Sequence, residues 1–115
     1  MTGVVFVRSE IKFSDITRGT SNTYFLGEKY MTINNYRTGG DPGDNESMYT
    51  GFNNDVFRHT NTNGPAQDTP TVTNTDRFGS AHAGGMNMAL CDGSVQFIAY
   101  SIDPVIFKLQ GRRME

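Results

Sequence analysis

The hydrophobic positions of the chain alternate most regularly near the C-terminus. Met86, Met88 and Leu90 are separated by single residues, and the dipeptide Asp92-Gly93 follows closely. Alternation with a period of two predicts a half-buried strand. Asp-Gly favours a tight turn, because glycine tolerates positive φ and the aspartate can accept a hydrogen bond from the backbone beyond it. The sequence therefore predicts a β-hairpin, whose returning strand carries an apolar set of Val95, Phe97 and Ala99.

A short helix is predicted directly after this hairpin. Asp103 is a good N-cap residue and Pro104 a good first helical residue, since the first turn leaves its N–H groups without partners and proline has none. Gly111 is a typical residue at which a helix ends. The apolar face of the helix would be formed by Val105, Ile106 and Leu109.

The first half of the chain carries weaker strand patterns. Residues 23–30 form the strongest of them, and Gly27 inside this segment indicates a bulge or close packing against another backbone. Residues 3–7 are also predicted to form a strand, and residues 10–13 another extended segment. Residues 47–57 contain several apolar side chains without a clean period, so a strand there is only weakly indicated.

Polar segments separate these patterns. Residues 14–22 are rich in capping and turn formers, which predicts one helical turn closed by Gly19 and then a polar loop. Residues 34–45 predict a surface loop, and residues 60–76 contain too few apolar side chains to order themselves around a core. We therefore expect one α+β domain over residues 1–115, with a small antiparallel sheet, a C-terminal hairpin, a short C-terminal helix and long polar loops.

Charge and composition exclude several classes of protein. The formal net charge is -2 with ten Lys and Arg spread along 115 residues, which argues against a nucleic-acid partner. The basic residues Lys108, Arg112 and Arg113 fit the positive end of the predicted helix.

Cys91 is the only cysteine, so neither an internal disulfide nor a thiolate-rich zinc site is expected, and it is interpreted as a small buried side chain. No apolar stretch is long enough to span a membrane, and the N-terminal one is too short for a signal peptide.

His82 is the first candidate for chemistry. It could act as a base or metal ligand with Asp92, but a plain hairpin would place the two residues at opposite ends, about 20 Å apart. His82 is therefore better interpreted as fixing the start of the hairpin through hydrogen bonds. Ser80 and His82 could belong to a hydrolytic triad, although no strand-turn-helix elbow surrounds the serine. His59 is expected to be solvated. No cofactor and no enzyme activity are expected.

An acidic cluster is the second candidate. Its members are Asp41, Asp44, Asn45 and Glu46, and calcium is bound by several such oxygens. The spacing does not match a helix-flanked calcium loop, so an ordinary solvated turn is the simpler interpretation. A calcium- or glycan-binding module that uses this loop with exposed Tyr36 and Tyr49 remains an alternative. Residues 45–47 also fit a glycosylation triplet, which arises often by chance.

Three stretches together resemble a family of pilin-like bacterial surface proteins, abundant in planctomycetes and of unknown function. Residues 11–23 resemble the family's Asp-Ile-Thr-Asp-Gly-Thr-Ser-Asn-Thr segment, with Arg18 in place of an acidic residue. Residues 27–29 resemble its Gly-Glu-Lys. Residues 80–95 resemble its C-terminal motif, in which a His is followed after nine residues by Asp-Gly, as in the prepilin-type processing-associated domain.

The resemblance implies a structural role. Complete members begin with a prepilin-type cleavage site and a long apolar helix, which this chain lacks, so it would be the C-terminal globular part of an exported protein. The full-length protein would lie in the cell envelope or outside the cell, as pseudopilins of type II secretion do. It would work through protein partners or self-assembly, without nucleic acid and without membrane contact by this fragment. The ending at residues 110–115 departs from the family's glycine-rich one.

We expect the residues that carry the resemblance to have structural roles. His82 would hold the start of the hairpin, Asp92 and Gly93 would form its turn, and Glu28 would pair with a basic group. The remaining motif residues would form a packed turn and the first position of the hairpin strand, and they are Gly19, Thr20, Ser21, Asn22 and Gly85.

Overall fold

The computed structural model describes residues 2–61 and 63–115, so Met1 and Thr62, which fall in the predicted N-terminal segment and polar loop, lie outside it. The strands and the helix that follows them are β1 (Tyr24–Gly27), β2 (Ala66–Gln67), β3 (Gly79–Ser80), β4 (Gly85–Leu90), β5 (Val95–Ala99) and α1 (Pro104–Gln110). A three-stranded antiparallel sheet has the order β1-β4-β5, and a second pair, β2 and β3, is parallel. The predicted α+β class with a small sheet is confirmed.

Strand β1 ends at a glycine that allows close packing. Its pairing with β4 shifts by one residue between Tyr24 and Leu26, which is a β-bulge. A Cβ atom on Gly27 would lie 2.1 Å from the sulfur of Met88 and 2.9 Å from the Phe78 ring. The predicted bulge or close approach is thus present, although the strand is shorter than residues 23–30.

The hairpin forms as predicted, but its turn is one residue longer than a two-residue Asp-Gly turn. Ala89 pairs with Val95, and the amide of Leu90 donates to the carbonyl oxygen of Ser94 at 2.8 Å. The loop therefore contains Cys91 as well as Asp92 and Gly93. Because side chains alternate across a strand, one additional turn residue changes which side chains of β5 face the core.

The prediction that Val95, Phe97 and Ala99 face the core is therefore wrong. Val95 is 66% exposed and Phe97 59% exposed, whereas Ile98 is buried opposite Met86. Met86, Met88 and Leu90 are all buried, as their alternation indicates. The core consists of these three residues with Tyr24, Ile98 and Phe107.

Helix α1 covers this core through Phe107. Asp103 accepts a hydrogen bond from the amide of Val105 at 2.7 Å, Pro104 opens the helix and Gly111 ends it, as predicted. The predicted face of Val105 and Ile106 is wrong, because both are at least half exposed while Phe107 is fully buried. The Phe107 ring lies 5.4 Å from that of Tyr24 and 6.2 Å from that of Phe78.

The hydroxyl of Tyr24 connects β1 to the end of α1. Burial raises the pKa of Tyr24 to about 12, so the hydroxyl stays protonated. It donates a hydrogen bond to the side-chain oxygen of Gln110. The helix is therefore attached to the sheet by a polar bond as well as by aromatic contacts.

Residues 3–7 form no strand, so the strand predicted there is wrong. Residues 10–12 belong to no strand either, although the Lys12 backbone is extended, and the predicted extended segment ends at Phe13, where a 3-10 turn begins. The N-terminal segment turns at Arg8, whose φ is +60°, and Phe13–Asp15 is a 3-10 turn. Contacts with Arg113 hold it instead: the amide of Arg113 donates to the Thr2 carbonyl at 2.8 Å, and its guanidinium donates to the Gly3 carbonyl at 2.7 Å. Arg113 thus connects the residues that follow α1 to the N-terminal segment.

The middle of the chain is organised by hydrogen bonds more than by apolar burial. Residues 47–57 form turns and no strand, so that prediction is wrong. The polar segment 60–76 contains β2, and the Tyr30 hydroxyl donates to the Val72 carbonyl at 2.8 Å. Asp68 accepts a hydrogen bond from the Met31 amide at 2.9 Å. Polar partners, which a count of apolar residues does not register, therefore position this segment. Across residues 2–61 and 63–115, no helix is long and apolar enough to cross a bilayer.

Candidate functional site

A carboxylate at the end of β1 connects the motif stretches at the open end of the hairpin. Glu28 Oε1 lies 3.0 Å from Nε2 of His82, and Oε2 accepts a hydrogen bond from the Asn87 amide at 2.7 Å. The Glu28 carbonyl also accepts from the Gly79 amide at 3.0 Å. One residue thus holds β1, β3, β4 and the segment before β4 together. We call Glu28, His82 and Asn87 the open-end clasp.

The buried hydroxyl of Ser80 makes further hydrogen bonds at the same end of the hairpin. Ser80 Oγ lies 3.0 Å from the Gly85 carbonyl oxygen and 2.7 Å from the Tyr100 hydroxyl. The Tyr100 hydroxyl in turn donates to the His82 carbonyl at 2.8 Å. The imidazole of His82 faces Glu28 and not Ser80, so the described contacts of Ser80 do not form a nucleophile-base pair.

The turn end of the hairpin is held by the residues that precede β1. The amide of Asp92 donates to the Thr20 carbonyl at 3.1 Å, and the amide of Cys91 donates to the Thr23 carbonyl at 2.9 Å. The Thr23 hydroxyl bonds the carbonyl of Gly19, whose φ is +93°. Thr20–Asn22 is a 3-10 turn packed on the hairpin, and the Asn22 side chain fixes it by donating to the carbonyl of Arg18 at 3.0 Å.

Inside the turn, the carboxylate of Asp92 bonds its own neighbour. It accepts from the Ser94 amide at 2.9 Å and from the Ser94 hydroxyl at 2.6 Å. These bonds, from the side chain first and the backbone second, lower the pKa of Asp92. Gly93 has φ +86°, the left-handed conformation that L side chains rarely adopt. His82 and Asp92 therefore take part in separate contacts at the two ends of the hairpin.

The three motif stretches thus meet in pairs along one hairpin. Residues 19–23 meet residues 91–94 at the turn, and Glu28 meets His82 and Asn87 at the open end. A family described as a protein of unknown function, DUF1559, matches residues 1–105 of the chain. The chain belongs to this family. No curated protein and no solved structure matches it.

The acidic loop of this DUF1559 chain is solvated at Asp44, Asn45 and Glu46, which are exposed, but not at Asp41, which is only 2% exposed. One carboxylate oxygen accepts from the Thr32 amide and the other from the Gly43 amide, both at 2.8 Å. Burial alone would raise the pKa of Asp41, but the two backbone hydrogen bonds, together with the Thr32 side chain and the charge of Arg58, lower it. Asp41-Pro42-Gly43 is the sequence of a turn in which an aspartate bonds the amide two residues on, and this signal was available in the sequence.

Two basic side chains accompany this loop. Lys29 Nζ lies 2.7 Å from an Asp44 oxygen and donates to the Gly43 carbonyl at 2.8 Å. The Arg58 guanidinium lies so close that a Cβ on Gly43 would meet its Nη2 at 2.6 Å. Glu46 accepts from the Asn53 side chain at 2.6 Å. Within the described residues, no three His, Cys, Asp or Glu side chains are grouped so that they could hold a metal ion.

The remaining candidates are separate from one another. Tyr49 is 87% exposed, while the Tyr36 hydroxyl donates to the Asp68 carboxylate. His59 is exposed and its amide donates to the Asp76 carbonyl. Cys91 is half-buried in the turn rather than in a strand, and burial followed by the charge of Asp92 raises the pKa of its thiol. A raised pKa keeps the thiol protonated and weakly nucleophilic.

Proposed function

We propose that this chain is the structural head domain of a pilin-like or pseudopilin-like exported protein. It would act at the cell envelope through contacts with other proteins, without a reaction centre. The proposal joins the resemblance of the three motif stretches to pilin-like proteins with the DUF1559 membership of residues 1–105.

The use made of the motif side chains supports this proposal. Both oxygens of Glu28 contact His82 or Asn87, and Asp92 bonds Ser94. Ser80 is buried between Gly85 and Tyr100. A catalytic or ligand-binding motif needs polar groups free to meet a substrate, whereas these groups are used to hold one hairpin at its two ends. Such use fits residues that maintain a fold.

Fractionation of the source cells tests the proposal. An antibody against this domain should detect the full-length protein in the envelope or extracellular fraction. Cross-linking of whole cells before lysis should shift it into larger species that contain other proteins. Recovery in the cytoplasmic fraction, without cross-linked species, would contradict a head domain that acts in the envelope.

A calcium- or glycan-binding module remains the alternative. It has less support, because the Asp41 oxygens accept backbone hydrogen bonds and Lys29 already neutralises Asp44. A melting temperature that rises with calcium relative to a chelator would favour this alternative. An enzyme that depends on His82, the second alternative, would require an activity that His82→Ala abolishes without loss of folding.

A further inference from the structure

We propose that the outer edge of β5 pairs, antiparallel and about a two-fold axis, with the β5 edge of a second copy of this chain. The inference rests on the proposed structural function and specifies one of the contacts through which the head domain would act. The occupant is a second copy because the edge is uncharged and can pair with itself, whereas the opposite edge of the same sheet has features that hinder pairing.

The first step is the direction of the backbone groups of β5. The Leu90 amide donates to the Ser94 carbonyl, and the Tyr100 amide donates to the Gly84 carbonyl. These two residue pairs are hydrogen-bonded pairs, and between them along the hairpin every second pair of opposite residues is hydrogen-bonded. Val95 lies opposite Ala89 and Phe97 opposite Asn87, in the pairs that are not hydrogen-bonded. The N–H and C=O groups of Val95 and Phe97 therefore point away from β4, towards the open edge.

The second step is the chemistry of this edge. Residues 93–102 include neither a charged side chain nor a proline, and four of the five residues of β5 are exposed. Natural sheets usually protect such an edge with charges, proline, bulges or short strands, because unpaired edges bind other strands. Strand β5 has no charge, proline or bulge, and it is one residue longer than β1.

The opposite edge provides the comparison. Strand β1 has only four residues, contains the bulge between Tyr24 and Leu26, and is followed by Glu28 and Lys29. It also carries exposed apolar side chains: Phe25 is 51% and Leu26 59% exposed, compared with 66% for Val95 and 59% for Phe97 on β5. Apolar exposure alone thus does not distinguish the two edges, but backbone regularity and charge do.

The third step is the order of the exposed side chains. A Cβ on Gly85 would meet two ring carbons of Phe97 at 2.7 Å, so the ring lies against the Gly85 backbone. This contact restricts the ring on one side before any partner arrives, which reduces the entropy lost on association. In an antiparallel self-pairing, the Phe97 rings of both copies lie on the same face close to the axis, and the isologous contact closes as a dimer.

The contact is small, which sets its strength. Two five-residue strands with Val95 and Phe97 bury less than the roughly 800 Å² per partner of a stable interface. We therefore expect a weak dimer that dissociates when dilute and forms at a high local concentration, as in an assembled envelope structure.

Sedimentation velocity of the 115-residue chain at increasing concentration, from about 20 µM to ~1 mM, tests the proposal. The parent chain should change from monomer to dimer over this range. Phe97→Lys and Val95→Lys place like charges near the axis and should remain monomeric throughout. Leu26→Lys on β1 is the matched control and should dimerise like the parent. Thermal melting checks that each variant folds, and two β5 variants are used so that loss of the Phe97–Gly85 contact cannot alone decide the result.

Hydrogen exchange locates the contact. The amide protons of Val95 and Phe97 should exchange more slowly at high concentration, while that of Leu26 should not change. A parent chain that remains monomeric at ~1 mM overturns the inference, as does association that Leu26→Lys abolishes and Phe97→Lys does not. Either result leaves the envelope location open, because cell fractionation tests that separately.

Discussion

Glu28 illustrates how much one exposed side chain can contribute to this fold. It has 37% of its side chain exposed, yet it contacts both His82 and the Asn87 backbone. Exposed ion pairs are generally weak, whereas a carboxylate that accepts a backbone hydrogen bond contributes more. The contribution of Glu28 to the stability of the fold should therefore come mainly from the hydrogen bond with the Asn87 amide and only secondarily from the contact with His82.

We predict that Glu28→Ala lowers the free energy of unfolding by about 1–2 kcal/mol, because the Asn87 amide loses its acceptor. His82→Ala should cost about 0.5–1 kcal/mol. Urea denaturation of both variants and the double variant measures these values, and the two effects should be less than additive. Glu10→Ala, at an exposed glutamate without such contacts, is the control. Equal stability of Glu28→Ala and the parent would contradict a stabilising role of the open-end clasp.

Asp41 predicts a dependence of stability on pH. Its pKa in the folded protein lies below the ordinary value of 3.8, so the unfolded chain binds the proton more readily. The contribution of Asp41 is complete above the unfolded pKa and is lost as the pH falls through the lower folded pKa. Asp41→Asn should therefore destabilise the protein at neutral pH and flatten the loss of stability below about pH 4. Melting temperatures from pH 2 to 7 measure this, and an unchanged acid slope would contradict it.

The hairpin turn depends on a backbone conformation that few residues adopt. Gly93 has φ +86°, and a β-branched residue there is strained whatever the space around it. We predict that Gly93→Val lowers stability by about 1–2 kcal/mol or more, while Gly93→Asn costs less because asparagine tolerates this region. Gly64→Val is the control, since nothing lies within 4 Å of a Cβ there. Retention of the parent melting temperature by Gly93→Val would show that the turn does not need this conformation.

Helix α1 contributes to the core through a single buried side chain. Phe107→Ala removes a fully buried ring that contacts Tyr24 and Phe78, and we predict a loss of about 3–5 kcal/mol. Ile106→Ala, at a half-exposed position of the same helix, should cost about 0.5 kcal/mol. Chemical denaturation of both variants distinguishes the buried face from the exposed one. Similar losses would mean that the helix packs through Ile106 as well.

Local signals predict much of the architecture of this chain. The burial of the alternating residues Met86, Met88 and Leu90 and the helix start at Asp103-Pro104 depend on neighbouring residues, and both are present. The hairpin turn lies at Asp92-Gly93 as predicted, although it contains one residue more. The face of β5 was not predictable, because a turn with one additional residue inverts it and no residue of the strand encodes that length.

Other features depend on contacts between distant residues. Four of the seven residues of α1 are apolar and large, so the pattern does not select Phe107 over Val105 and Ile106. The contact between Glu28 and His82 joins residues 54 positions apart, and the burial of Asp41 requires the Thr32 amide. The motif residues of the candidate site could be named from the sequence, whereas the way they pair could not.

The position of the core residues along the chain has a consequence for synthesis. Of the six clustered core residues, only Tyr24 precedes residue 85. Tyr24 can therefore meet Met88, Leu90 and Phe107 only after those later residues have also left the ribosome. During that interval β1 lacks its partner β4, so the Tyr24 side chain, which is buried in the folded protein, is available to chaperones or to an export apparatus that accepts unfolded chains. A chain truncated before Phe107 would lack the residue that closes the core, and it should be degraded rather than accumulate as a smaller folded domain.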